Sequence, residues 1–527
     1  MTPKQVFVRE ATGLVRELST LDATIINVAI ISIGIGITIL YTWAPYLYPG
    51  MSVSLAIILG GLVSLIGGIV YGTLSSAMPR SGGDYVFVSR ALTPSMGMVS
   101  SWFNMFWGVQ GVAACATFGS WFISVYVGML GIITNSSSLA QLGADISSPN
   151  GTFVISLIII IISGLLVMSG VKRMARVQLV AFVIGMIGVV AAIVAIGLSS
   201  NGDFIAAFDR IFAKDYQSYA QVISASGFTP AFSIAATVMA IPCTLNWYTG
   251  FWVSGVVAGE IKKARTNVPI ATYASILLTV LIWGLMAGLG DRVFGYDFVN
   301  AISYLYYAKP AEYLLPIQPL YNLFAMILNP NLGFVSVVGI GWIAWGFVII
   351  PAFILMLTRI LFAWSFDRVL PEKLSEVSEK YHSPIVATLV ASIASVVFLW
   401  AYLYTGLFQF VLNFYFGSQI WWIILGVTAL VYPFTMKRVF QSAPFAYRIG
   451  GVPVISIVGI VQIALSAYLL YQSLLVPAWQ GPAGVMPISV MLTTGFIAPF
   501  VIFWASRYYR KKQGIEFDLI FKEIPPE

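Results

Sequence analysis

The sequence predicts an all-α polytopic membrane protein of about 12 transmembrane helices, and three observations carry that prediction. The 527-residue chain is 59% hydrophobic and only 9% charged. Soluble domains carry about 25% charged residues, so a water-facing surface cannot be built from this composition. The apolar runs are continuous, as from Leu179 to Leu198; a helix needs about 20 such residues to cross, whereas barrel strands alternate apolar with polar. Lysine and arginine, finally, gather in every second loop. With lipid as solvent, only helices or closed barrels satisfy their own backbone.

Twelve spans cover roughly 23–47, 52–75, 97–132, 152–171, 177–199, 230–258, 268–290, 333–364, 384–405, 408–434, 452–475 and 486–506. The third and eighth exceed one crossing and are expected to tilt or extend past the bilayer. With the N-terminus inside, 23 of the 27 lysines and arginines lie on the inner side; only Arg210, Lys214, Arg292 and Lys309 lie outside. The positive-inside rule then places both termini in the cytoplasm, which suits a multi-pass plasma-membrane protein. A polar stretch of about 22 residues precedes the first span, and the first span is expected to stay in the membrane.

Several function classes fall away. The net charge of +7 is scattered over short loops, which speaks against nucleic acid as a partner. Cys115 and Cys243 sit inside apolar spans without metal-ligand spacing, so neither a disulfide framework nor a metal site is expected. The single histidine, His382, lies in an inner loop without the companions of a catalytic site. No cofactor and no enzyme activity are expected. A channel would want a pore-lining ring or filter repeated across subunits, and none is visible. The long outer loops, 200–229 and 291–332, hold short amphipathic or polar stretches. Their acids, among them Asp203, Asp209, Asp291 and Asp297, read as solvated. Asn135-Ser136-Ser137 and Asn150-Gly151-Thr152 match the glycosylation pattern.

A transporter binds its solute near the midplane, where interrupted helices expose free N–H and C=O groups. Two spans suit this. In the first, Ser32-Ile33-Gly34-Ile35-Gly36-Ile37-Thr38 places two glycines and two hydroxyls mid-membrane. Unwinding and close packing through small residues are both open readings there. In the sixth, Pro242-Cys243-Thr244-Leu245-Asn246-Trp247-Tyr248-Thr249-Gly250-Phe251 holds a proline, an asparagine and a glycine among aromatics. Pro242 removes a helical hydrogen bond, and Asn246 needs a partner if buried, so a break is predicted. The two spans open two halves of five and run in opposite directions, the pattern of an inverted repeat.

Ala77-Met78-Pro79-Arg80-Ser81-Gly82-Gly83-Asp84-Tyr85-Val86-Phe87 breaks the chain between the second and third spans. It resembles the PxSGGxYxY signature of the amino acid–polyamine–organocation transporter superfamily. Gly34-Ile35-Gly36-Ile37 is similar to that superfamily's first-span GxGI motif. Tyr248-Thr249-Gly250-Phe251 resembles its sixth-span aromatic-x-Gly pattern. Gly259-Glu260-Ile261-Lys262-Lys263 through Ala271 resembles the loop that follows. Asp367-Arg368-Val369-Leu370-Pro371 and Ser383-Pro384 resemble the eighth-to-ninth loop. The matches run from about residue 22 to 390 in the expected order.

The resemblance implies a five-plus-five inverted repeat with interrupted helices 1 and 6, plus two C-terminal helices. The chain then divides into a cytoplasmic segment 1–22, a first repeat 23–199, an outer loop 200–229, a second repeat 230–434, a final helix pair 435–506 and a cytoplasmic tail 507–527. It implies a secondary active amino acid transporter working by alternating access. The solute carboxylate would meet N–H groups around Ile35, Gly36 and Ile37, next to Gly34. The ammonium would face carbonyls near Cys243, Thr244 and Asn246, with Tyr248 and Gly250 beside them. A zwitterion between two half-helix ends meets opposite partial charges.

The chain departs from the pattern at Thr73, Trp252 and Lys263-Ala264, which leaves subfamily and substrate open. An ionisable group within the bilayer is a functional hypothesis, and none is found near mid-span; Asp22, Arg176, Glu260 and Arg359 sit near inner ends. The pocket is therefore expected to be neutral and to favour a neutral amino acid. Sodium coupling lacks support, because span 8 around Trp342 to Pro351 has no Ser or Thr. Coupling to protons through Asp22 or Glu260, or exchange, stays open. Gate candidates are Tyr248, Trp247, Trp107, Trp345 and Tyr415. Transport of other organic amines or polyamines, and a non-transporting solute sensor of the same fold, are the alternatives.

Overall fold

The computed structural model describes residues 13–405, 414–475 and 486–525. Span 1 begins at a capping box, in which Ser19 and Asp22 satisfy each other's backbone N–H groups and so close two of the orphan donors at a helix start. It runs as span 1a, Thr20–Ile31, and span 1b, Ile33–Thr42, with Ser32 between them. Span 2 is Val53–Ala77, followed by a short helix Asp84–Ala91 and span 3, Pro94–Ile133. Spans 4 and 5 are Pro149–Met168 and Val171–Leu198. Span 6 is broken into Ile234–Met239, Ile241–Tyr248 and Val253–Val256. Spans 7 to 9 are Ala264–Phe294, Leu332–Phe366 and Ile385–Tyr404; spans 10 to 12 are Phe414–Thr435, Val454–Leu475 and Met486–Lys512.

Among the described residues, ten helices are long and apolar enough to cross a membrane. The broken span 6 and span 12 complete the predicted order. Several helices outrun their predicted spans. Span 5 already starts at Val171 and carries Arg173 and Arg176 in its first turns. Span 12 continues through Arg507 and Arg510 to Lys512. Charge ends an apolar run, whereas the helical hydrogen-bond ladder continues past it. The first part of predicted span 10, from 408 to 413, lies outside the described residues.

Span 1 is almost wholly buried at the centre of the bundle. Span 3 packs on span 8, span 2 on span 7, span 4 on span 9 and span 10 on span 11. The outermost helices present stripes of exposed aliphatics. Val154, Ile158, Ile161 and Leu165 form one, and Val180, Val183, Ile187, Val190 and Val194 form another. Such stripes would be an aggregation hazard in water, and they sit on helices long and apolar enough to cross a membrane.

Five further helices fill the loops on the face opposite the N-terminal segment. Ser137–Ser147 follows span 3, a helix the sequence reading did not anticipate. Asn201–Phe212 and Tyr219–Ser226 follow span 5, and Tyr296–Ala308 and Tyr321–Leu328 follow span 7. The last is buried through Ile327. Asp291 is not simply solvated: it accepts from Tyr41 Oη (2.7 Å) and Ser54 Oγ (2.7 Å). Asp203 caps its helix and Asp209 accepts from the Tyr219 N–H.

Candidate functional site

The two helix breaks meet. Span 1 turns at Ser32, whose φ of 49° lies in the left-handed region. Gly250 sits in the span 6 break, and a β-carbon there would strike Ile30 and the backbone of Ile31. Only glycine lets the two strands of chain come this close. Asn27 of span 1a locks the geometry. Its Nδ2 donates to the Phe251 carbonyl (2.6 Å) and its Oδ1 accepts from the Ser254 N–H (2.8 Å). A lone asparagine in an apolar run was the signal that could have found this clasp.

The glycines of span 1 serve packing. The φ values at Gly34 and Gly36 are not positive. A β-carbon on Gly34 would run into Trp345, and one on Gly36 into Trp283. Trp283 Nε1 donates to the Ile33 carbonyl (2.9 Å) and Trp342 Nε1 to Thr38 Oγ1 (3.2 Å). Both readings of this stretch thus hold, with the turn at the serine and the close contact at the glycines.

The breaks leave free backbone groups of opposite polarity. The first turn of a helix has no partners for its N–H groups. In span 1b the Gly36 N–H already bonds the Ser32 carbonyl (2.8 Å). The open donors are therefore Ile33, Gly34 and Ile35, two residues earlier than the expected Ile35, Gly36 and Ile37. In span 6 the helix continues to Tyr248, and the Thr249 N–H bonds the Leu245 carbonyl (3.0 Å). The carbonyls of Cys243 and Thr244 are spent inside the helix. The open acceptors are those of Asn246, Trp247, Tyr248 and Thr249.

Two cavities flank this break, and Thr249 lines both. One is a small cleft among Phe103, Asn104, Trp107, Trp252, Ser418 and Trp421. The other is a cleft between span 2 and spans 10 and 11, with Ser64, Gln419 and Gln462 among its polar groups. Around the break, Gln110 Oε1 and Nε2, Asn104 Oδ1, Asn246 Oδ1, Trp247 Nε1 and Trp252 Nε1 are buried without partners. Buried polar groups are ordinarily satisfied, so these atoms keep hydrogen-bonding capacity to spare beside the break. Ring contacts from Trp107 to Trp252 (5.4 Å) and from Phe118 to Trp247 (6.2 Å) hold span 3 along span 6.

The remaining named residues divide. Trp107 lines the smaller cavity. Tyr248 turns away toward span 2, where its hydroxyl donates to the Ile57 carbonyl (3.0 Å) and its ring meets Trp283. Trp345 packs on Gly34 and Phe182. Cys243 is a buried free thiol and Thr244 bonds its own helix. The Tyr415 side chain lies outside the described residues.

The N-terminal face is closed by charge and by close backbone contact. Glu260, after the span 6 break, holds Arg359 of span 8 in a bidentate pair (2.6 and 2.9 Å), both buried. Arg90 holds Asp367 in the same way (2.7 and 3.0 Å). The Gly82 N–H bonds the Val256 carbonyl (2.9 Å). Side chains at Gly82 and Gly83 would collide with Ala363 of span 8 and with Tyr71 of span 2. The glycine pair thus seats the loop between three elements.

A family model described as amino acid permease matches residues 18–497. The chain belongs to the amino acid permease family. It is a multi-pass membrane transporter of the amino acid–polyamine–organocation fold. Among relatives, it is 24% identical over 391 residues to the branched-chain amino acid permease BcaP of Bacillus subtilis (strain 168), covering 71% of this chain and 72% of that one. It is 24% identical over 382 residues to the serine/threonine exchanger SteT of the same organism, covering 72% and 75%. It is 20% identical over 451 residues to that organism's methylthioribose transporter, covering 85% and 87%.

Proposed function

We propose that the permease moves neutral amino acids by alternating access, driven by protons or by exchange. The observation that carries this reading is the pair of opposed half-helix ends at one place, without a charged side chain between them. The solute carboxylate is received by the N–H groups of Ile33, Gly34 and Ile35. Its ammonium is received by the carbonyls of Asn246 to Thr249, with Cys243 and Thr244 in the half-helix behind. Gly36 and Ile37 continue the donor helix, and Gly250 sets the spacing. The solute side chain faces the aromatic cavity of Trp107, Trp252 and Trp421, whose polar groups are Asn104, Thr249 and Ser418. A lysine or glutamate side chain there would need a counter-charge, which the lining lacks.

The excess of lysine and arginine in the N-terminal-side loops supports cytoplasmic termini and a plasma-membrane location. The division into two five-span repeats, 23–199 and 230–434, follows from the paired breaks. Rocking of one bundle against the other would then open each face in turn. A second reading, a solute that is not an amino acid, is favoured by the coverage of the methylthioribose transporter.

Counterflow into liposomes preloaded with unlabelled solute tests the proposal. Labelled leucine or serine is expected to enter, and lysine and glutamate are not. Lysine or glutamate as the best-carried solute would overturn the neutral-substrate reading. The variant Gly34→Val is expected to abolish the flux, because its side chain would drive into Trp345 and displace the donor end of span 1b.

A further inference from the structure

Asp84 stands out once the ionisable groups are placed. Asp22 is committed to the Ser19 cap and Glu260 to Arg359, so the carboxyls first suggested for coupling already have partners. Asp84, at the start of the short helix after the Gly82-Gly83 turn, is fully buried. Three neutral donors surround it. Ser100 Oγ and Trp421 Nε1 reach its Oδ2 (2.8 and 2.9 Å), and Asn104 Nδ2 reaches its Oδ1 (2.8 Å). Its backbone N–H bonds Tyr71 Oη (3.2 Å).

No cation answers it among the described residues. Span 2 offers only Tyr71, and spans 3 and 10 contain no Asp, Glu, Lys, Arg or His. On its own helix stand Tyr85 and Arg90, and Arg90 is taken by Asp367 at the end of span 8. The other charged pair on this face, Glu260 with Arg359, is closed on itself. A buried carboxylate held only by neutral dipoles is the arrangement in which charged and protonated forms come close in energy.

The carboxyl stands directly behind the site. Asn104 and Trp421 line the cavity beside the span 6 break and bond Asp84 directly. Asn104 Oδ1 is buried and unpartnered, so this amide is half used. The loop that carries Asp84 is bonded to the inner half of span 6 through Gly82 and Val256.

We propose that Asp84 is the proton-binding site of the permease, with Asn104 relaying its charge state to the solute cavity. This rests on the proton-coupled form of the proposed transport. A proton from water binds Asp84 Oδ1. The amide of Asn104 then turns over, so that its Oδ1 accepts the new O–H and its Nδ2 swings to the cavity. When the proton returns to water on the other side, the amide turns back. Binding pushes one buried charge to neutral, which loosens the bonds that hold span 10 and span 3 on the Asp84 loop. Burial alone moves the Asp84 carboxyl upward from its ordinary range, and the bonds from Trp421, Ser100 and Asn104 offset part of the rise.

The test uses the full-length protein in liposomes with L-leucine as probe. Wild type is expected to accumulate leucine when the lumen is alkaline. Asp84→Asn is expected to fall to the level without a pH gradient, yet keep leucine counterflow; Asp84→Glu is expected to restore part of the accumulation. Gradient-driven accumulation undiminished in Asp84→Asn would overturn the proposal. If wild type ignores the pH gradient, the proton-coupled reading fails by itself, and infrared titration of the purified protein then decides the site. A protonated-carboxyl band that appears on acidification and is missing in Asp84→Asn supports proton binding at Asp84; the same band retained in Asp84→Asn overturns it. Should Asp84→Asn not fold, Trp421→Phe removes one donor to the carboxylate and is expected to raise the midpoint of that band by about one pH unit. An unmoved midpoint counts against Asp84.

Discussion

The two faces of this permease are closed by different physics. On the N-terminal face the contacts are directional: two buried bidentate ion pairs, a glycine loop seated between spans, and backbone bonds to the inner half of span 6. On the opposite face aromatic packing dominates, beside polar contacts such as those of Asp291 with Tyr41 and Ser54. Phe204, Phe208, Phe294, Phe298 and Phe324 pack ring against ring with Tyr219, over the buried helix Tyr321–Leu328. Directional contacts break all at once and reform in one register. Dispersive contacts yield by degrees. One face is thus suited to act as a latch and the other as a cover that slides.

The sharpest way to break this contrast is at the latch. Arg359→Met leaves Glu260 buried without a partner and is expected to cost about 3–5 kcal/mol. Thermal unfolding in detergent reads this, and the double variant with Glu260→Met is expected to recover most of the loss. A double variant no better than the single one would mean that the pair is not the latch. Gly82→Ala comes next. The residue has φ +100° and its new methyl would strike Ala363, so about 1–3 kcal/mol is expected. Gly227 on the opposite face has φ +60° and open space around it. Gly227→Ala should cost only the backbone term, about 1 kcal/mol. Equal costs at both glycines would erase the distinction. At the cover, Phe204→Leu is expected to cost about 1–2 kcal/mol and to leave transport in place.

A pH series sharpens the same contrast, because the N-terminal face holds Asp84. Its carboxyl is raised chiefly by burial, so the folded state holds the proton more tightly than the unfolded chain does. The stability it contributes is present in full at low pH and is lost as pH rises through the raised value. The wild-type melting temperature should fall over that window, and Asp84→Asn should flatten this part of the profile. A profile unchanged by the substitution would remove Asp84 from the account of this face.

The sequence carried the spans and the break of span 6 well, because hydropathy, charge and proline are read residue by residue, and it left span 1 open between unwinding and packing. It missed the register of the breaks. Gly34 and Gly36 fitted unwinding and close packing alike, and their bareness is owed to Trp345 and Trp283, which lie about 310 and 250 residues away in the chain. Ser32, which does turn, has nothing in its side chain to announce it. Asp84 was in plain view inside a loop motif and passed as part of a bend. Its significance depends on Ser100, Asn104 and Trp421 all arriving from other spans. Asp291 likewise looked solvated until Tyr41 and Ser54 were placed beside it. Patterns along the chain report the solvent of each residue; partners across the bundle do not.

The most direct measurement is the melting temperature of the purified permease against the twenty amino acids, singly. A solute that binds only the folded protein raises it by mass action. The account predicts a rise with a few neutral amino acids and none with lysine or glutamate. A rise confined to lysine or glutamate, or no rise with any amino acid, would contradict the neutral site between the breaks of span 1 and span 6.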